Sequence, residues 1–396
     1  MTPAARLSTA IEILDAVLAG QPAGLTLTNW GRQNRYAGSR DRAAIRDIVF
    51  DCLRARRSLS DLGGAETGRA MVIAYASREG MDLDGLFTGQ KYDPAPINDV
   101  ERDALANETI PSDAVRLNYP DFLDGELKRS LGSDFEAVME AMLVRAPVDL
   151  RVNSAKADLK EAQALLSVDD IATEPVDAVP TALRVVENHR RVGQSKAYRD
   201  GVVELQDASS QAAALFANAT PGLRVLDYCA GGGGKALALY DAIKGQGAVV
   251  AHDIATVRMN DLPARAARAG ARITIASPGH KDLVEGSFDL VFVDAPCSGT
   301  GSWRRTPDAK WRFTSQDLTN LIKVQEDVLS VASRYVKAGG CLCYATCSVL
   351  AAENMDQIER FLENSQGFSL QQSRLFTPID VGDGFFVARM ILGGKT

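Results

Sequence analysis

Histidine is scarce in this chain: His189, His252 and His280 are the only three in 396 residues, and none of the six cysteines belongs to a CxxC pair. Zinc sites built on paired cysteines are therefore not expected, and no metal is assigned. The same shortage leaves no well-placed histidine for a Ser or Cys hydrolase triad. Six cysteines over this length are too sparse for a secreted disulfide scaffold, so the thiols are read as reduced, with Cys341 and Cys343 expected on opposite sides of one strand. No window approaches the roughly 18 apolar residues of a membrane span. The opening, MTPAARLSTAIEILDAVLAG, lacks a basic head followed by a continuous apolar stretch, and a cytoplasmic location is the expectation. Internal repeats and low-complexity segments are missing as well.

An excess of positive charge is also absent. The formal net charge is −7 and the isoelectric point is near 5.2, which argues against bulk electrostatic attraction to nucleic acid but not against local contacts. Three basic groups stand out: Arg54, Arg56 and Arg57; His189, Arg190 and Arg191; and Arg304, Arg305, Lys310 and Arg312. The first two read as solvated faces. The third lies just beyond Cys297 and reads as substrate contact, with Arg304, Arg305 and Lys310 on phosphates and Trp311 either stacking on a base or packing in a core.

What is present describes a globular chain of two or three domains, with 46% hydrophobic and 24% charged residues. Residues 1–118 read as helical. In DRAAIRDIVFDCLRAR, Ile45, Ile48, Val49, Cys52 and Leu53 recur at helical spacing and predict one apolar face. Residues 119–204 read as a small α+β connecting domain, with strands VDLRVN and TALRVV and a helix at KEAQALLS. In residues 205–396, the strands RVLDY, AVVAHD, RITIA, FDLVFVD and CLCYAT alternate with helices and predict a parallel, doubly covered α/β sheet. GFSLQQSRLF and GFFVARMIL should close it as an antiparallel pair.

The chemistry concentrates in that last part. RVLDYCAGGGGKALALY has the strand, glycine turn and helix start of a nucleotide-type cofactor site, running from Cys229 and Ala230 through Gly231, Gly232, Gly233 and Gly234 to Lys235. Asp253, ending the next strand, is placed to accept hydrogen bonds from ribose hydroxyls. NAD and S-adenosylmethionine both carry such a ribose, and this pair of features does not choose between them. Further on, Cys297 in DAPCSGTG and Cys347 in YATCSVL each follow an apolar strand, so two thiols face one pocket beside a cofactor. Methylation of a pyrimidine carbon needs that combination. A thiolate adding to carbon 6 of cytosine gives carbon 5 the electron density to take a methyl group, an acid near ring nitrogen 3 assists, and a second thiol can help expel the first. Asp294 is the candidate for the nitrogen contact.

These residues resemble the Fmu/Sun family of RNA cytosine-5 methyltransferases, through DAPCSGTG, RRTPDAKW, YATCSVLAAEN and the QDASSQ segment at Gln206–Gln211. The resemblance implies a Rossmann-like methyltransferase domain, preceded by a NusB-like RNA-binding helical domain and a small connecting domain. It implies Cys347 as nucleophile, Cys297 as the thiol that assists product release, and Asp294 between cofactor and base. It further implies S-adenosylmethionine on Cys229–Lys235 and Asp253, and RNA, ribosomal by expectation, as the partner; a monomer is expected, although the sequence does not identify the oligomeric state. The chain departs from the family's CAAPGGK turn at Gly231 and Gly232, and Pro278 stands where an aspartate is usual near the adenine. Those departures keep a second reading in view, a non-catalytic RNA-binding or ribosome-assembly factor. A nicotinamide-dependent oxidoreductase is a third, and it leaves the paired thiols unexplained.

Overall fold

The computed structural model describes residues 1–107 and 110–394. They form two compact units. The first comprises Met1–Lys128, Ser133–Arg145 and Trp303–Phe313, and the second holds the remaining described residues.

The first unit is helical. Helix Pro3–Leu18 has a proline at its first turn and a Thr2 side-chain cap on the Ala5 amide. Helix Ser39–Arg54 buries Ile45, Val49, Cys52 and Leu53, the predicted stripe, against Leu7, Leu14 and the nearly all-buried helix Gly68–Arg78. The segment 303–313, which follows Cys297 closely in sequence, belongs to this unit, as does the stretch 133–145 that was expected in a connecting domain. No helix among the described residues is long and apolar enough to cross a membrane.

The second unit contains two sheets. Strands β1 (Val148–Val152), β2 (Thr173–Pro175), β3 (Ala182–Val185) and β4 (Val203–Leu205) form an antiparallel sheet in the order β2-β3-β1-β4. Helix Leu159–Val168, started by an Asp158/Glu161 capping box, packs Ala162 and Leu166 onto Leu150, Leu183 and Val203. The larger sheet joins β5 (Arg224–Asp227), β6 (Ala248–His252), β7 (Ile273–Ala276), β8 (Phe288–Asp294), β9 (Val336–Thr346), β10 (Phe368–Phe376) and β11 (Phe385–Leu392). Its order is β10-β11-β9-β8-β5-β6-β7, parallel from β7 to β9 and antiparallel at β11 and β10. Side chains alternate between two cores. Val225, Val249, Phe292 and Cys343 lie in one, and Leu226, Val250, Val291 and Tyr344 in the other. Cys341 shares the first core with Cys343, which corrects the expectation that they face apart: residues two apart on a strand point the same way.

Strand order is what assembles the site. β5, β8 and β9 are neighbours, with Asp227 opposite Phe292 and Asp294 opposite Ala345, so the turns after all three strands emerge along one edge of the sheet.

Candidate active site

The turn after β5 uses its glycines for specific backbone needs. Gly231 and Gly233 have φ of +49° and +82°, the left-handed region that L side chains avoid. At Gly233 a Cβ would sit 2.1 Å from Leu262 Cδ1, whereas above Gly231 the space is open. The turn is pinned by Gly233 N–H to Ala230 O (2.8 Å) and Ala230 N–H to His252 O (2.9 Å). Asp253 is buried, and its carboxylate accepts from the amides of Gly231 (3.0 Å) and Ala255 (2.9 Å). Each oxygen keeps a further lone pair for a ligand hydroxyl. Beside it, Ile254 is an isoleucine 85% exposed, an apolar surface at the mouth of the turn. Pro278 lies exposed in the loop after β7. Cys229 is half-buried and packs against the second core, and burial, then the Asp227 charge, push its thiol up. It is not poised as a nucleophile.

Three residues in this region went unmarked in the sequence. Arg265, from helix Leu262–Ala269, donates to the carbonyl of Gly232 and lies 3.5 Å from Glu204, which also holds Arg268 at 2.7 Å. A guanidinium thus braces the turn at a position where the resembling family carries proline. Asp227 is fully buried beneath the turn with no hydrogen-bond partner on either carboxylate oxygen; burial, and then Asp294, push its pKa up to about 7. Phe385 lies under Lys235, whose ammonium is 4.6 Å from the ring centroid. Neither Arg265 nor Phe385 lies in a recognisable motif, so no local signal pointed to them.

Lys235 reaches from the glycine turn to β8, where its ammonium binds Asp294 at 2.8 Å. The lysine is almost fully enclosed, while the Asp294 side chain keeps 29% exposure and so can face a ligand. Three residues further on, Cys297 brings its sulfur to 3.4 Å from that of Cys347. Contact with the Cys347 sulfur, and then burial, push the Cys297 thiol well up, so it stays protonated and can donate to its neighbour. The backbone is packed tightly here. Gly301 donates to the Cys347 carbonyl (3.0 Å), and a Cβ on Gly301 would meet the Gly384 carbonyl oxygen at 2.1 Å. A polar cluster underlies both thiols: Ser298, Gln325 and Ser348 all donate to Glu353, a residue with no exposure.

The basic group expected to contact substrate belongs to the helical unit. Lys310 is 4% exposed in the helical unit, its ammonium donating to Arg54 O (3.3 Å) and lying 4.5 Å from the Trp311 ring centroid. Burial, and then Arg54, push the Lys310 pKa down to about 7. Trp311 is half-buried and donates its indole N–H to Leu53 O (2.7 Å), and Arg54 donates to the carbonyl of the buried Arg304 (3.0 Å). These residues fasten segment 303–313 into the helices, which removes Lys310 and Arg304 from the solvent-facing role expected of them. Arg305 is exposed.

A parallel sheet closed by an antiparallel β11, with a glycine turn after its β5 strand and an acidic residue ending the next, defines a Rossmann-like methyltransferase. Residues 214–392 match the 16S rRNA methyltransferase RsmB/F family, and residues 119–214 match the ferredoxin-like domain of RsmF/B-like methyltransferases. Ribosomal RNA small subunit methyltransferase B of Citrobacter koseri is 33% identical over 305 residues, covering 74% of this chain and 70% of the relative. The chain belongs to this RsmB/F family of RNA methyltransferases. Among solved structures, the protein PH0851 superposes with a TM-score of 0.76 at 21% identity, covering 98% of this chain and 99% of that one. A methyltransferase homologue from Pyrococcus horikoshii gives 0.61 at 22% identity, over 70% and 97% of the two chains. Both share the fold.

Proposed function

We propose that this enzyme methylates carbon 5 of a cytidine in small-subunit ribosomal RNA, with Cys347 as the attacking nucleophile and Cys297 as the thiol that completes the reaction. The observation that carries this reading is the 3.4 Å approach of the two sulfurs at the ends of adjacent parallel strands, beside the Lys235–Asp294 pair. S-adenosylmethionine, the methyl donor of this class, supplies the activated methyl group when bound. The open space over Gly231, the exposed Ile254 and the lone pairs of Asp253 suit its nucleoside part.

The roles of the two thiols are those the family resemblance implies. Contact between the sulfurs pushes the Cys297 thiol up, so it can donate its S–H to the Cys347 sulfur. Cys347 adds to carbon 6 of the base, and Asp294, partly exposed and held by Lys235, faces ring nitrogen 3. After methyl transfer, Cys297 gives its S–H proton to solvent and its sulfur takes the proton from carbon 5; the carbon 5–carbon 6 double bond re-forms as the carbon 6–sulfur bond breaks, and Cys347 leaves with the bonding pair. A cytidine in a loop suits this sequence, because extracting it from a stack costs only a few kcal/mol.

The altered turn does not weaken this reading. Gly231 occupies a backbone region that suits glycine, and Arg265 braces Gly232. The test is incubation with cofactor and small-subunit RNA containing 5-fluorocytidine, followed by denaturing electrophoresis. Wild type should form a trapped covalent complex and Cys347→Ala should not; a complex that persists in Cys347→Ala would refute the assignment.

A further inference from the structure

We propose that Glu353 is the positioning residue for the thiol pair, a single buried carboxylate that ties the turn after Cys297 to the turn after Cys347. The importance of the spacing rests on the methyltransferase reading above; the clamp itself rests on geometry. Glu353 has no solvent exposure, and its partners are neutral donors: Ser298 N–H at 2.8 Å, the Ser298 hydroxyl at 2.5 Å, Gln325 Nε2 at 3.0 Å and the Ser348 hydroxyl at 2.5 Å. Ser298 directly follows one reactive cysteine and Ser348 directly follows the other.

The residues on the other side of each cysteine are held by the same cluster. Gln325 also donates to the carbonyl of Pro296 (2.9 Å), and is itself oriented by Gln357 (3.0 Å). Thr346 donates to Asn354 (2.5 Å), which donates in turn to the carbonyl of Ser348 (2.9 Å). Tyr344, buried in β9, donates its hydroxyl to the Glu353 carbonyl (2.8 Å) and anchors the clamp to the sheet. Each cysteine is thus fixed at the residue before it and the residue after it; Glu353 bonds both turns from outside them, and the Thr300 hydroxyl adds a direct link to Ser348 (2.9 Å) and to the Val349 amide (3.0 Å).

A buried carboxylate without a cation is an expensive way to obtain stability, since apolar packing of equal volume does as well or better. Its fit here is to geometry. A carboxylate accepts at both oxygens, so it can bridge donors from two loops. Glutamine has the same shape, but an Nε2 in place of Oε2 can only donate, so the Ser298 and Ser348 hydroxyls must both turn round to accept and the charge-assisted bonds are lost.

The closing experiment reads the sulfur spacing without using catalysis. The whole protein is treated with diamide, an azo oxidant that takes two electrons and two protons from a thiol pair, and the Cys297–Cys347 linked peptide is followed by mass spectrometry. Glu353→Gln should form the disulfide about tenfold more slowly than wild type, while retaining cofactor affinity within about twofold. In methyl transfer, kcat should fall about tenfold to a hundredfold with KM for the cofactor little changed, because misplacement by about 1 Å acts on the chemical step. If Glu353→Gln does not fold, Ser298→Ala and Ser348→Ala each remove one arm and should each slow the disulfide less than the two together. Wild-type disulfide rates in these variants would overturn the clamp. A slowed disulfide in a protein whose wild type transfers no methyl group would keep the clamp and reject the methyltransferase reading.

Discussion

Two buried carboxyl groups lie under this active site, and they are treated in opposite ways. Glu353, between the thiol turns, receives four hydrogen bonds, whereas Asp227, beneath the glycine turn, has neither oxygen in a well-formed hydrogen bond, the Ala236 amide and Lys235 only partly offsetting its burial. The first has its oxygens satisfied in the interior. The second has its pKa pushed up to about 7 by burial and by Asp294. The thiol side of the site is therefore held by a closed network of buried hydrogen bonds. The cofactor side is held by backbone geometry and by a guanidinium near the surface, Arg265, with an unsatisfied group below it. Networks are unforgiving and loops braced from outside are tolerant.

The largest expected effect falls on the thiol side: Cys347→Ala should lower methyl transfer by roughly a thousandfold or more, as removal of a nucleophile does, with cofactor affinity measured by calorimetry unchanged. On the cofactor side, Gly233→Ala should cost about 3 kcal/mol of stability, from the left-handed strain and the crowding of Leu262 together; urea unfolding measures it. A smaller effect distinguishes the carboxyls. Asp227 has a raised folded pKa, so the native state binds the extra proton between about pH 4 and pH 7, and stability falls as pH rises through that window. Asp227→Asn should therefore raise stability by about 2 kcal/mol at pH 8, with the gain fading toward pH 4; a gain independent of pH would break the comparison. The smallest change is at the surface. Arg265→Ala should weaken cofactor binding by about threefold to tenfold, the worth of one hydrogen bond, and Arg265→Lys should recover part of it.

A parallel pH argument applies in the helical unit. Lys310 has a lowered folded pKa, of about 7, so its burial opposes folding fully below that pH, and the cost fades as pH rises toward the free lysine value near 10.4. Lys310→Met should stabilise the protein most at neutral pH and below, and progressively less by pH 10, as followed by thermal unfolding.

The contrast between residues 294–302 and 303–313 shows where sequence reading stops. The stretches are consecutive, the first rich in small and polar residues and the second in charged and aromatic ones. The first forms the thiol turn. The second, read as a grip on RNA because it follows Cys297, buries Lys310 and Arg304 among helices from the start of the chain. Nothing local distinguishes a lysine that meets phosphate from one that meets the Arg54 carbonyl more than 200 residues away in the chain. Glu353 was visible only as one letter of YATCSVLAAEN, with no role attached. Its four hydrogen bonds, from Ser298, Gln325 and Ser348 on three separate segments, are what mark it.

Period-two burial, glycine runs and two cysteines after apolar strands were written into the sequence itself, because backbone sterics and apolar alternation are local properties. They were enough to outline a doubly covered sheet, a glycine turn and a pair of cysteines at neighbouring strand ends. Which turns would meet was decided by the strand order β9-β8-β5. The brace at Gly232, the clamp at Glu353 and the fate of Lys310 were decided by long-range packing, since hydrogen-bond partners and burial depend on what the rest of the chain brings to a side chain.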